Sequence, residues 1–205
     1  MSTIPVHLAI EDQLSEAVLR RLLDVAGRGY SVGTVYGRTG FGYLRNTIHG
    51  WNAAARGIPF IVLTDLDTHA CPMALIRNWL PHRQSPNLLL RVAVREVEAW
   101  LLADAASLAT YLAVPLRRIP ADPEQLSDPK AVLVEIAAAS GSRTIRQRIV
   151  PKRGSTAKQG PDYNACLVEF VREVWDVAAA VQSSPSLART VARLARFTPT
   201  WPPST

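Results

Sequence analysis

Apolar residues follow two patterns in the first 100 residues of the chain: short uninterrupted runs, and positions at helical spacing. The runs are bounded by turn residues and predict buried β-strands at residues 4–10, 31–36, 59–64 and 88–94. The helically spaced positions between them predict helices at residues 17–23, 43–56 and 73–80. Because strands and helices alternate, the sequence predicts an α/β fold with a largely parallel four-stranded sheet flanked by helices.

The pattern changes after Glu96, where helical periodicity continues without a further convincing strand. Helices are predicted at residues 100–114, 129–139, 163–182 and 185–197. We therefore predict an α/β domain over residues 1–112 and a C-terminal helical extension over 113–205, with a basic loop at 143–160. The proline-rich end, residues 198–205, is expected to be loosely held.

Composition and charge indicate a class of binding partner and a cellular compartment for the protein. The chain of 205 residues is 48% apolar and carries a net charge of +6, and its pI of about 9.8 favours a polyanionic partner such as nucleic acid. No secretory leader and no apolar run long enough to span a bilayer is visible, so we expect no membrane partner. Cys71 and Cys166 are far apart and have no metal-type spacing, which predicts reduced thiols in a cytoplasmic protein.

Acidic residues follow three of the four predicted strands. Glu11 comes after the first, Asp65 and Asp67 after the third, and Glu96 and Glu98 after the fourth. The carboxyl ends of parallel strands meet at one edge of a sheet, and alternation places Asp65 and Asp67 on one side of an extended segment. A carboxylate cluster of this kind suits Mg²⁺ or Mn²⁺. Alternatively, each acid is a helix N-cap or a solvated turn residue.

This arrangement resembles the Toprim domain, the metal-binding module of topoisomerases, primases and overcoming-lysogenization-defect nucleases. The family carries a glutamate after its first strand and Asp-x-Asp after its third, matched here by Glu11 and by Asp65-Leu66-Asp67. Its nuclease branch has a further acid after the fourth strand, matched by Glu96 or Glu98. The resemblance covers roughly residues 4–112. It departs at Asp12, where the family usually has glycine, so Asp12 is either an extra ligand or a sign of a reshaped site.

A more specific resemblance is to a functionally uncharacterised family of small bacterial Toprim-like proteins. It is carried by the sequence Glu-Ala-Trp-Leu-Leu-Ala-Asp at residues 98–104, by Gly-Pro-Asp-Tyr-Asn at 160–164 and by Ser-Pro-Ser-Leu at 184–187. This second resemblance extends to the C-terminal helices, but it implies little about activity.

The Toprim resemblance implies metal-dependent hydrolysis of phosphodiester bonds in nucleic acid, with a place in bacterial genome defence by family analogy alone. Asp65 and Asp67 would hold one or two Mg²⁺ ions, and Glu98, or else Glu96, would complete the ligand shell. Glu11 would act as a general acid or base, or as a ligand of a second metal; the sequence leaves these roles open.

The stretch from Arg143 to Lys158 holds six basic residues and no acid. Within it, Lys152, Arg153 and Lys158 are candidate contacts to nucleic-acid phosphates, or else belong to a solvated surface. A weak phosphate-loop pattern also occurs at residues 37–42. Two alternatives to the nuclease remain open: a non-catalytic module that binds nucleic acid or a nucleotide, and a protein-interaction subunit whose acids are structural.

Overall fold

The four predicted strands form one sheet in the computed structural model, which describes residues 3–37 and 40–201. All neighbouring strands are parallel, and their order across the sheet is β2-β1-β3-β4. The strands are β1 (Ile4–Ile10), β2 (Tyr30–Gly37), β3 (Phe60–Asp65) and β4 (Leu88–Ala93). The predicted α/β fold with a four-stranded parallel sheet and flanking helices is therefore confirmed.

Helices connect the strands and then make up the rest of the described chain. Those between the strands are α1 (Gln13–Val25), α2 (Phe41–Ala54) and α3 (Pro72–Trp79). Those after β4 are α4 (Val97–Leu102), α5 (Ala105–Tyr111), α6 (Pro129–Ala138), α7 (Arg143–Ile149), α8 (Tyr163–Glu173), α9 (Val177–Ala180) and α10 (Pro185–Ala195). Two short 3₁₀ helices lie at Leu116–Arg118 and Pro123–Gln125. No helix in the described ranges is both long enough and apolar enough to cross a membrane.

Helices α2 and α3 cover one face of the sheet. Leu44, Ile48 and Trp51 of α2 are spaced three or four residues apart, so they line one side of the helix, and they pack with Leu75 and Trp79 of α3. Alternate strand residues complete this cluster, among them Ala9, Phe60, Val62, Leu88, Leu90 and Val92. Burial of each large side chain contributes about 1.5–3 kcal/mol relative to exposure, so this cluster stabilises the packing of α2 and α3 on the sheet.

Helix α1 covers the opposite face and contacts β1 and β3. The connection from β1 to β2 and that from β2 to β3 run in opposite directions across the sheet. Because such crossovers are right-handed, their helices lie on opposite faces. The chain therefore leaves β1 towards one face and β3 towards the other, which opens a crevice between the ends of these two neighbouring strands. In open parallel sheets ligands bind at this point.

The chain divides into two compact units. The first comprises Met1–Val94 together with Arg189–Thr205, and the second comprises Arg95–Ala188. The second unit thus begins directly after the last strand, and the C-terminal part of α10 belongs with the sheet. The sequence-based boundary at residue 112 lies inside the second unit, just after α5.

Two helices predicted as continuous are interrupted, each at an aspartate. The region 100–114 contains α4 and α5, and Asp104 Oδ1 accepts a hydrogen bond of 3.3 Å from the N–H of Ser107 in the first turn of α5. The region 163–182 contains α8 and α9, and Asp176 Oδ1 accepts from the N–H groups of Ala178 and Ala179. An aspartate at such a position caps a new helix, and the apolar periodicity alone does not reveal the break.

One prediction about an irregular segment is wrong. A second, the loosely held C-terminal stretch 198–205, is described only as far as residue 201, and residues 202–205 lie outside the described residues. The first half of the predicted basic loop is helix α7, because Ser142 caps its start and Ile145 and Ile149, four residues apart, are both buried. The C-terminal segment is held at Thr200, whose N–H donates to Asn87 Oδ1 and whose C=O accepts from Asn87 Nδ2, each at 2.8 Å. The weak phosphate-loop pattern at 37–42 includes residues 38 and 39, which lie outside the described residues.

Candidate functional site

Glu11 lies at the crevice between the ends of β1 and β3. Its Oε1 accepts a hydrogen bond of 2.5 Å from the Thr64 hydroxyl and one of 2.9 Å from the Asp65 N–H. Both donors belong to β3, which pairs with β1 in parallel register, so the sheet itself positions this carboxylate. The Thr64 side chain is buried and fixes Glu11 Oε1 against β3.

The surroundings of Glu11 oppose its negative charge. Partial burial raises the pKa of Glu11 above its usual range, and the hydrogen bonds from Thr64 and Asp65 act in the opposite direction. The charges of Asp67 and Asp12 raise the pKa further. The first unit therefore brings Glu11, Asp65 and Asp67 to one edge of the sheet, as the sequence predicts.

Asp12 has a structural role that accounts for its presence in place of glycine. Its backbone is extended and its Oδ1 accepts a hydrogen bond of 2.8 Å from the N–H of Ser15, so that Asp12 is the N-cap of α1. The next acid, Glu16, forms an ion pair with Arg20 one turn later on the same helix. The structure thus gives Asp12 a capping function, which requires no reshaped site.

The conformation around Asp67 corrects one detail of the sequence analysis. Asp65 is the last residue of β3, and Leu66 continues the ladder by donating to the C=O of Ala93. Asp67, however, has a φ of +48°, in the left-handed region, and its residue is exposed. The prediction that Asp65 and Asp67 share one side of an extended segment is therefore wrong. The chain turns at Asp67, as asparagine and aspartate tolerate.

Glu96 and Glu98 lie in the second unit, at the start of α4. The Glu98 side chain is buried and accepts a hydrogen bond of 3.1 Å from the Tyr163 hydroxyl. Lys130 Nζ lies 3.5 Å from Glu98 Oε1 and 3.9 Å from Glu96 Oε1. Glu96 Oε2 also accepts from the Lys130 N–H in the first turn of α6. Within this unit, a lysine therefore supplies positive charge to both acids.

The three acids of the first unit carry the type of oxygen donor that a hard cation takes. Carboxylate oxygens of Glu11, Asp65 and Asp67 are ligands that Mg²⁺ prefers, and Mg²⁺ keeps several waters and needs only one or two carboxylates. Among the described residues, no group of three or more histidine, cysteine or acidic side chains is arranged so that it could hold a metal ion. The grouping of Glu11, Asp65, Asp67, Glu96 and Glu98 around one ion stays a prediction.

The predicted phosphate contacts Lys152, Arg153 and Lys158 are all exposed in the second unit. A neighbouring pocket of about 570 Å³ is lined by Ala138, Arg143, Arg146, Gln147, Val150, Pro151 and Lys152. The segment closes at Gly160, whose N–H donates to the C=O of Ile149 at 2.8 Å. Arg143, Arg146 and Lys152 therefore lie around one concave surface, and the role of Lys152, Arg153 and Lys158 in phosphate binding stays a prediction.

Three polar residues of these sites were not identified from the sequence: Thr64, Lys130 and Tyr163. Thr64 is the one polar residue in the apolar run from Phe60 to Thr64, and its position directly before Asp65 could have identified it. Tyr163 lies within the Gly-Pro-Asp-Tyr-Asn segment. Nothing in the sequence around Lys130 indicates that it faces Glu98.

Comparisons with protein-family models, with curated proteins and with solved structures found no match for this chain.

Proposed function

We propose that this protein hydrolyses phosphodiester bonds in nucleic acid with the help of a divalent metal ion. One observation carries the proposal: Glu11 is held by β3 in the crevice between β1 and β3, beside Asp65 and Asp67. This crevice is where open parallel sheets bind ligands. The basic surface around α7 in the second unit supports a polyanionic substrate.

The residues of the first unit have separable roles in this proposal. Asp65 and Asp67 would hold the ion, and a bound Mg²⁺ supplies charge to the phosphate and makes a coordinated water more acidic. Glu11 accepts the proton of the attacking water as the water oxygen bonds to phosphorus. The bond from phosphorus to the leaving oxygen breaks, and the leaving oxygen takes a proton from solvent. The raised pKa of Glu11 suits this role, because a base is most efficient when its pKa approaches the working pH.

Glu96 and Glu98 enter the proposal with lower priority. A carboxylate that faces a lysine already has a positive neighbour, so it has less need of a cation than Glu11 does. A lower metal affinity after replacement of Glu98 would identify Glu98 as a further ligand. Otherwise, the Lys130 contacts give these acids a structural role.

The test combines cleavage and metal binding. Purified protein would be incubated with single-stranded and double-stranded DNA and with RNA, in Mg²⁺, Mn²⁺ or EDTA. Replacement of Glu11 by Gln or of Asp65 by Asn should abolish cleavage and leave the fold intact by circular dichroism. Asp24→Asn is the matched control, since it removes one charge from an exposed position on α1.

A second measurement tests the ion itself. Titration of Mn²⁺, followed by electron paramagnetic resonance, should show binding that the Asp67→Asn variant loses. Absence of both cleavage and Mn²⁺ binding would overturn the proposal. Salt-sensitive nucleic-acid binding without cleavage would then favour the non-catalytic module, for which the basic surface around α7 is the supporting observation.

A further inference from the structure

Four arginines form a second basic surface in the first unit, remote in sequence from the α7 surface. Arg28 precedes β2, Arg91 lies on β4, and Arg189 and Arg193 lie on α10. Across residues 3–37 and 40–201, none of the four forms a salt bridge. Like charges gathered without acids repel one another, and a bound anion would compensate them. We name this set the arginine cluster.

Contacts with neighbouring groups hold members of the arginine cluster in place. Arg91 Nε donates to the Thr190 hydroxyl at 3.3 Å, which ties β4 to α10. Arg28 Nη2 donates to the C=O of Phe197 at 3.1 Å, and the Arg193 guanidinium lies 5.9 Å from the centre of the Phe197 ring. Side chains that are already ordered lose less entropy when they bind a ligand.

The four charges act on one another. Burial lowers the pKa of Arg91, and the guanidinium groups of Arg193 and Arg189 lower it further. The fourth member, Arg28, acts together with Arg193 on Tyr30, whose hydroxyl donates to the C=O of Leu194. Burial raises the pKa of Tyr30 to about 12, and both Arg28 and Arg193 act in the opposite direction. Arg193 is common to both sets of interactions: it acts on Arg91 together with Arg189, and on Tyr30 together with Arg28.

Two concave surfaces adjoin the arginine cluster. A cleft of about 370 Å³ runs along β4 and is lined by Met73, Ile76, Gln84, Ser85, Pro86, Leu88, Leu89, Leu90, Arg91 and Arg193. A second, of about 600 Å³, is lined by Thr3, Ile4, Gly27, Arg28, Thr198, Pro199 and Trp201. Trp201 is 51% exposed, which is unusual for a tryptophan. Cationic and aromatic groups therefore face solvent in the same region.

We propose that the arginine cluster binds the phosphate backbone of single-stranded nucleic acid, with Trp201 available to stack on a base. Guanidinium groups bind phosphate in bidentate fashion, and an exposed aromatic ring binds any base through its face. An acidic peptide would satisfy the charges but would make no particular use of the tryptophan, so nucleic acid is the better fit. This inference rests on the proposed function, for which it supplies an anchor for the substrate.

Part of the arginine cluster lies at the end of β1 opposite to Glu11. Arg28 and Trp201 line a surface beside Ile4, at the start of β1, whereas Glu11 follows its end. With a rise of about 3.3 Å per residue, β1 separates the two by about 20 Å, which an extended strand of a few nucleotides spans. Loss of the anchor should therefore raise KM and leave kcat unchanged.

The experiment measures binding without chemistry. A fluorescent single-stranded oligonucleotide would be titrated in EDTA at several salt concentrations, and anisotropy would report the affinity. The test variant is Arg189→Gln with Arg193→Gln; the matched control is Arg45→Gln with Arg56→Gln, which removes two exposed charges from the region of α2. Trp201→Ala tests stacking separately.

We expect the α10 pair to weaken binding about tenfold and to flatten the plot of log affinity against log salt by about 1.4, or about 0.7 per lost phosphate contact. The α2 pair should do neither. Equal effects of the two pairs would overturn the proposal, as would competition by poly-glutamate as strong as that by unlabelled oligonucleotide. Oligonucleotide binding by the unsubstituted protein without any cleavage in Mg²⁺ or Mn²⁺ would support the anchor and contradict the proposed hydrolysis, so the two failures are distinguishable.

Discussion

The Thr64 hydroxyl is the contact whose removal tests the Glu11 site most directly. Replacement of Thr64 by Val keeps the branched shape inside β3 but deletes the donor to Glu11 Oε1, which lies 2.5 Å away. A hydrogen bond to a charged group contributes about 1.5–3 kcal/mol. The Asp65 N–H, at 2.9 Å from the same oxygen, remains and offsets part of the loss.

The consequence is a change in the ionisation of Glu11. A loss of about 1.4 kcal/mol shifts an equilibrium about tenfold, so Thr64→Val should move the balance roughly tenfold toward the protonated carboxyl. The pKa of Glu11, already raised by burial, rises further. Because the proposed base is the ionised form, the acidic limb of the profile of cleavage rate against pH should move to higher pH in this variant.

The control is Thr64→Ser, which retains a hydroxyl. Cleavage rates across pH would be compared for both variants, and the Glu11 carboxyl would be followed independently by carbon-13 NMR in selectively labelled protein. If Thr64→Val and Thr64→Ser titrate alike, or if the NMR titration of Glu11 does not move, the hydrogen bond does not control this carboxylate and the reasoning is refuted.

Three further predictions concern stability. Glu11→Gln should stabilise the protein by about 1 kcal/mol at pH 7, as often occurs when a functional group is replaced, because the ionised form of a carboxyl with a raised pKa opposes folding. Urea unfolding should show this gain disappear as pH falls below 4.5, the ordinary pKa of a glutamate, because the carboxyl is then protonated in both the folded and the unfolded chain. A gain equal at all pH values would exclude the charge as its cause. Lys130→Met should cost about 2–4 kcal/mol, since it removes the cation facing buried Glu98, and Glu98→Gln in the same chain should restore most of this loss in urea unfolding. Gly160→Ala should cost about 1–3 kcal/mol by thermal unfolding, because its Cβ would lie 2.4–2.8 Å from backbone atoms, whereas Gly141→Ala, with its nearest contact at 3.5 Å, should be nearly neutral.

Strands β3 and β4 could be predicted because they are buried and apolar on both faces. A run such as Phe60–Leu63 is wholly buried, and a short apolar run between polar turns has few alternatives to a central strand. The acids that follow these runs were predictable for the same reason, because the end of a buried strand is the first position where a charged side chain can reach solvent. Glu11 and Asp65 come directly after or at the end of such strands.

The contacts between distant segments could not be predicted in this way. Glu98 meets Tyr163 and Lys130 across 65 and 32 positions of the chain, and no local pattern encodes such a pairing. The turn at Asp67 was missed because alternation was extended one residue beyond the strand, where the ladder ends. Helix α7 was missed because its basic residues dominate the pattern, whereas only Ile145 and Ile149 mark its buried side.

Among the described residues, the charges that act on Glu98 and on Glu11 are opposite in sign, and this contrast is a guide to the roles of these two acids. In the second unit, Lys130 supplies the compensating charge to Glu96 and Glu98. In the first unit, the charges that act on Glu11 are those of Asp67 and Asp12, which raise its pKa and so increase the cost of ionising it. Folding retains such a cost mainly at functional positions, where a ligand relieves it. A divalent cation would relieve it at Glu11, which makes the end of β1, and not the start of α4, the place where metal dependence should be sought first.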